Sequence, residues 1–220
     1  MKIINSTRII FAALITIFTV PVSAMPITPG LEWTGSNLVF STDDQDFVMG
    51  YEFQADLAVT IGSLGAFDHL GDGLSVEHDV GLWDSSGALL GSTTVAAGTV
   101  DDLIGHFRYS MLSTSITLVA GQTYVVGAFD YGINETYAYA IEGLTMASGL
   151  TYLDDRLTPF ANAGSVSGLE YPGNSQSNGG ISWFGGTVGV IAVPEPSILA
   201  LFGLGLAGLG FVRRRKLQAY

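Results

Sequence analysis

Between residues 25 and 192 the chain is a succession of short runs in which apolar and polar residues alternate, separated by clusters of Gly, Asp, Asn and Ser. Long helical periodicity is absent there. A period of two puts every second side chain on one face of a strand, and the turn residues between runs force frequent reversals. Many short strands at this spacing fold as an all-β, antiparallel β-sandwich or jelly-roll-like domain. The spacing predicts strands over Phe47–Gln54, Leu57–Phe67, Asp79–Trp83 and Ala88–Val95, with Asp84-Ser85-Ser86-Gly87 as a hairpin loop. Gly62 and Gly65 mark bends or bulges in the second of these. Further strands are expected over Gly105–Met111, Ser115–Val119, Thr123–Phe129, Tyr137–Ile141, Leu150–Leu153, Ile181–Phe184 and Thr187–Val193. In Thr123–Phe129 both faces are apolar, which predicts a central strand. Asn162 to Gly180, dense in Gly, Ser and Asn, reads as a long surface loop.

Both ends differ from this middle. Residues 1–24 have the order of a secretory signal peptide: Lys2 and Arg8, an apolar run from Ile9 to Val20, then Val22-Ser23-Ala24. Cleavage is expected between Ala24 and Met25. Residues 193–220 begin with Val193-Pro194-Glu195-Pro196, continue as an uncharged apolar stretch from Ser197 to Val212, and close with Arg213, Arg214, Arg215 and Lys216. Sixteen residues of helix span about 24 Å, short for a full membrane crossing, and snorkelling basic side chains with local thinning cover part of the deficit. The basic cluster is a stop-transfer signal and places the preceding domain outside the cytoplasm. Gly203-Leu204-Gly205-Leu206-Ala207-Gly208 fits a dinucleotide-binding spelling but lacks the strand and the later acid that such a site needs. Its small residues suit close packing of a membrane helix.

Charge sharpens the division. Residues 25–192 hold nineteen acids against two bases, Arg108 and Arg156, a net of −17, whereas the whole chain stands at −12. Such a domain repels phosphate backbones, so nucleic acid is not an expected partner. Divalent cations, basic partners and neutral glycans are compatible with it, as is plain solubility without any partner. The chain has no cysteine. Disulfides and thiol chemistry are therefore excluded, and an exported domain must rest on its core or on a metal.

The tail, in its order of Val193-Pro194-Glu195-Pro196, apolar stretch and Arg213–Lys216, resembles the PEP-CTERM sorting signal of Gram-negative bacteria. The resemblance implies recognition by exosortase, a membrane protease-transpeptidase, after export through the secretion machinery. It also implies a transient hold in the inner membrane, and a surface or matrix protein linked to exopolysaccharide and biofilm. A second resemblance runs through Gly50-Tyr51-Glu52-Phe53, Val59–Gly65, Gly71-Asp72-Gly73-Leu74, His78–Asp84, Phe107-Arg108-Tyr109 and Leu118–Tyr124. These are similar to an uncharacterised β-sandwich domain of bacterial surface proteins, which implies a fold and no activity.

The candidate sites are few. Asp68, Asp72, Glu77 and Asp79 surround the glycines of Asp68-His69-Leu70-Gly71-Asp72-Gly73-Leu74 and could supply oxygens to calcium; the same segment also reads as a tight Asp72-Gly73 turn with Leu74 packed inward. A calcium-assisted glycan-binding module is the corresponding alternative to a structural or adhesive surface role. His69, His78 and His106 match no zinc spacing, and His78, beside acids at a strand start, is expected to make a charged hydrogen bond. Acid pairs at Asp43-Asp44, Asp101-Asp102 and Asp154-Asp155 read as solvated surface rather than as a glycosidase dyad. No G-x-S-x-G nucleophile motif occurs, and no enzymatic activity is expected. Tyr131, Tyr137, Tyr139, Trp183 and Phe184 are candidates for a sugar platform or for core.

Overall fold

The computed structural model describes residues 26–41, 45–132, 135–159, 166–175 and 184–192. The expected signal peptide and cleavage pair Ala24 and Met25, the sorting motif Val193–Pro196, the apolar stretch and the basic cluster lie outside them, as do Asp43, Asp44 and Trp183. Among the described residues no helix is long and apolar enough to cross a membrane.

The described chain is all-β and antiparallel throughout. Its strands are β1 (Ile27–Pro29), β2 (Leu31–Trp33), β3 (Leu38–Phe40), β4 (Phe47–Ala55), β5 (Thr60–Phe67), β6 (His78–Asp84) and β7 (Leu89–Val95). They continue as β8 (Asp102–Ile104), β9 (Phe107–Thr117), β10 (Thr123–Tyr131), β11 (Tyr137–Tyr139), β12 (Leu144–Met146), β13 (Leu150–Thr158) and β14 (Gly186–Ile191). One five-stranded sheet runs β1-β14-β5-β9-β8, the other β13-β4-β10-β6-β7, with two-stranded ribbons β11-β3 and β12-β2 beside them. Between the main sheets lies a core that includes Met49, Tyr51, Phe53, Leu64, Val80, Leu82, Val126 and Val188.

Strand β10 is the middle strand of its sheet and is buried from Tyr124 to Ala128, as its apolar faces require. Val125 and Trp83 fall outside the main core. Above them the segment 166–175 closes over the sheet: Tyr171 meets Trp83 edge-on at 6.0 Å, and Asn174 exchanges backbone hydrogen bonds with Leu157. The predicted surface loop is thus, in this part, the cover of an apolar sheet face. The hairpin after β6 forms as expected, with Asp84 accepting hydrogen bonds from the Ser86 and Ala88 amides and Gly87 at φ 86°.

Three expectations need correction. Asp155, expected on the solvated surface, is buried within β13. Gly105–Met111 and Ser115–Val119 are not two strands; β9 runs unbroken from Phe107 to Thr117. The polar run Ser113–Ser115, which looks like a turn in sequence, lies exposed at a bulge opposite β5, where the register shifts between Ile61 and Ser63. Leu57 does not open a strand. It sits exposed in the β4–β5 connection.

Candidate functional site

The segment from Asp68 to Leu74 is held from beneath by one buried ion pair. Asp68 is 3% exposed and Arg108, on β9, 4% exposed. Arg108 Nε donates to Asp68 Oδ2 at 2.6 Å, Nη1 to the Asp101 carbonyl at 2.9 Å and Nη2 to the Gly71 carbonyl at 3.0 Å. The Gly73 amide donates to Asp68 Oδ2 at 3.1 Å. A guanidinium taken out of water needs its donors satisfied, and this one ties two loops together in satisfying them. Leu74 is buried and bridged to Gly98, so the inward-packed turn forms as expected.

The calcium set does not assemble. Asp68 is turned inward to Arg108, Asp79 accepts from Thr94 Oγ1 at 2.6 Å, and Asp72 and Glu77 are exposed. Among the described residues no three His, Asp or Glu groups converge as metal ligands, which also separates His69, His78 and His106. The reason is positional: only Asp68 reaches back beneath the loop, and Asp79 already belongs to the exposed face of β6.

His78 is likewise not a charged group. It is fully buried, stacks on Tyr131 at 4.4 Å, and its Nδ1 lies 2.7 Å from the Phe129 carbonyl. A carbonyl only accepts, so Nδ1 carries the proton and Nε2 is a buried lone pair without a hydrogen-bond partner. Burial holds the imidazole below its ordinary pKa against the pull of Glu135, Asp130 and Asp79. Tyr131, Tyr137 and Phe184 are core residues and offer no sugar platform. Tyr139 is half-buried.

What the fold does assemble is a notch of about 340 Å³ over the Asp68–Arg108 pair. Its lining includes Asn37, Asp68, His69, Leu70, Leu103 and His106. His106 stacks flat on Trp33, with ring centroids 4.0 Å apart, and Nδ1 meets Glu32 Oε2 at 2.7 Å while its amide donates to Glu32 Oε1 at 3.0 Å. Asn37 Oδ1 accepts from Trp33 Nε1 at 3.3 Å. Leu70 stands 81% exposed at the rim with φ 67°. A leucine in left-handed backbone is strained, and its apolar side chain here gains no burial from the fold. Asn37, Leu103 and Glu32 carry no sequence signal. Arg108 does carry one, as a rare base inside an apolar strand of an acidic domain.

Fold and tail together define an exported all-β domain delivered by a C-terminal sorting signal. Residues 192–216 match the PEP-CTERM protein-sorting motif, the mark of a membrane-transiting chain sorted by exosortase. Residues 34–179, more than half of the chain, match the Domain of unknown function (DUF4082), and the chain belongs to that family. The match leaves out β1, β2 and β14. No curated protein is significantly similar to the chain.

Proposed function

We propose that the domain serves at the surface or in the matrix of a Gram-negative cell as a non-catalytic adhesive domain, and that its notch takes one neutral sugar unit of an exopolysaccharide. The observation that carries this is the exposed, strained Leu70 beside the His106 ring and the Asn37 amide. Apolar side chains and ring faces pack on the C–H face of a sugar while amide and imidazole nitrogens meet its hydroxyls. The domain's −17 charge disfavours anionic ligands. The one carboxylate in the lining, Asp68, is neutralised by Arg108. A non-catalytic role is supported by the same lining, which has no hydroxyl or thiol nucleophile and no free acid. Binding is expected to be independent of calcium.

A glycan array and calorimetric titration with the host's own exopolysaccharide test this. Binding should survive chelator and be lost in Leu70→Asp and in His106→Ala, with the melting temperature little changed in Leu70→Asp. Absence of binding to every glycan, the host's included, sinks the proposal.

A further inference from the structure

The first and last strands of the domain pair with each other at one sheet edge. Ile27 lies opposite Ile191, and Pro29 opposite Gly189. The sorting motif begins at residue 192, immediately beyond this pair. Ser197, where the uncharged apolar stretch starts, follows Ile191 by six residues, an extended reach of about 20 Å at most. The tail therefore leaves the domain from a defined end, on a short lead.

That end can be traced across both sheets. Ile61 pairs with Val190, and Thr60 with Thr117, so the Thr60 end of β5 and the Thr117 end of β9 lie beside the exit of β14. The Leu118 amide donates to the Val59 carbonyl at 2.8 Å, and the Ala55 amide to Gln122 at 3.0 Å. The β4–β5 and β9–β10 connections thus carry the same end into the second sheet. Each presents an apolar side chain to solvent: Leu57 and Val119, both 61% exposed. Val119 also lines a hollow of about 360 Å³ with Leu90, Ile116 and Tyr124. The charged residues placed here, Asp56 and Asp84, are acids. The two arginines among the described residues are elsewhere, paired with Asp68 and Glu52. The notch at Asp68 lies past the opposite end of β5, roughly 23 Å away along the strand.

We propose that this tail-proximal end is a membrane-docking surface: while the sorting tail is in the bilayer, Leu57 and Val119 rest in the lipid interface and the notch points away from it. Its occupant is lipid because the tail's membrane segment starts within the reach of the lead, and its contact is apolar because Leu57 and Val119 are the side chains that the two connections present to solvent. Docking rests on Ser197–Val212 being the membrane segment and is independent of the sugar reading.

The absence of cysteine makes the test direct. The chain with its tail is inserted into phosphatidylcholine vesicles that carry a quencher on the acyl chain. Single variants Leu57→Cys, Val119→Cys and Leu70→Cys are labelled with one fluorophore. Labels at 57 and 119 should lose most of their fluorescence and the label at 70 little. Introducing Leu57→Asp into the Val119→Cys chain should restore fluorescence at 119. Equal quenching at all three positions, or stronger quenching at 70, overturns the docking surface. Failure of the chain to float with the vesicles overturns the membrane segment and the docking surface together.

Discussion

Asp68 and His78 stand ten residues apart in sequence and both are buried, yet their electrostatic roles differ. The pairing of Asp68 with Arg108 supplies the compensation that a buried carboxylate needs. Asp68→Asn leaves the guanidinium without its counter-charge, and denaturant titration should show a loss of about 3–5 kcal/mol. The double variant Asp68→Asn, Arg108→Met should recover part of it, because no buried charge is then left alone. His78 is kept neutral by burial. Its depressed folded pKa means that the unfolded chain binds the proton more readily. Its contribution to stability is therefore complete above the unfolded value of about 6.5 and is lost as pH falls below it. Melting curves between about pH 7 and about pH 5 should fall more steeply for the wild-type chain than for His78→Gln. A parallel fall in the two would remove His78 from the account.

At the scale of elements, the central pair β4–β10 depends on what is missing from its side chains. Gly50 lies opposite Gly127, and a Cβ at Gly50 would overlap the Val126 carbonyl. Gly50→Ala should destabilise the domain by about 3 kcal/mol, read as a lower denaturant midpoint at unchanged slope. Alternation and turn residues made β4, β6, β7 and β10 legible, because each is long enough for its period to show. The three-residue strands β1, β2, β3, β8 and β12 were not predicted. Three residues hold no period, and their conformation is imposed by the partner strand. The bulged middle of β9 misled for a related reason: a polar run facing water in a strand is spelled like a turn.

For the whole molecule, charge is the dominant departure from an ordinary domain. A net −17 over residues 25–192 is self-repulsion that only small ions relieve, since both bases there are already paired. Raising sodium chloride from low to physiological concentration should raise the melting temperature; a flat response would show that the carboxylates lie too far apart to matter. The antiparallel pairing of β1 with β14 then sets the two ends of this acidic body, with the start of the sorting motif at one and the notch at the other.

The sequence alone determined the class of fold, the acidity of the exported part and the sorting tail, because period, composition and linear order are properties of the chain itself. It could not determine which of several neighbouring acids turns inward. Asp68, Asp72, Glu77 and Asp79 read alike, and only the crossing of β9 beneath the loop brings Arg108 to the first of them. Nor could it bring Asn37, Leu70, Leu103 and His106 to one notch, or Ile27 beside Ile191. Those juxtapositions arise from strand order and register, which are settled by how two sheets bury their faces together and not by any local run of residues.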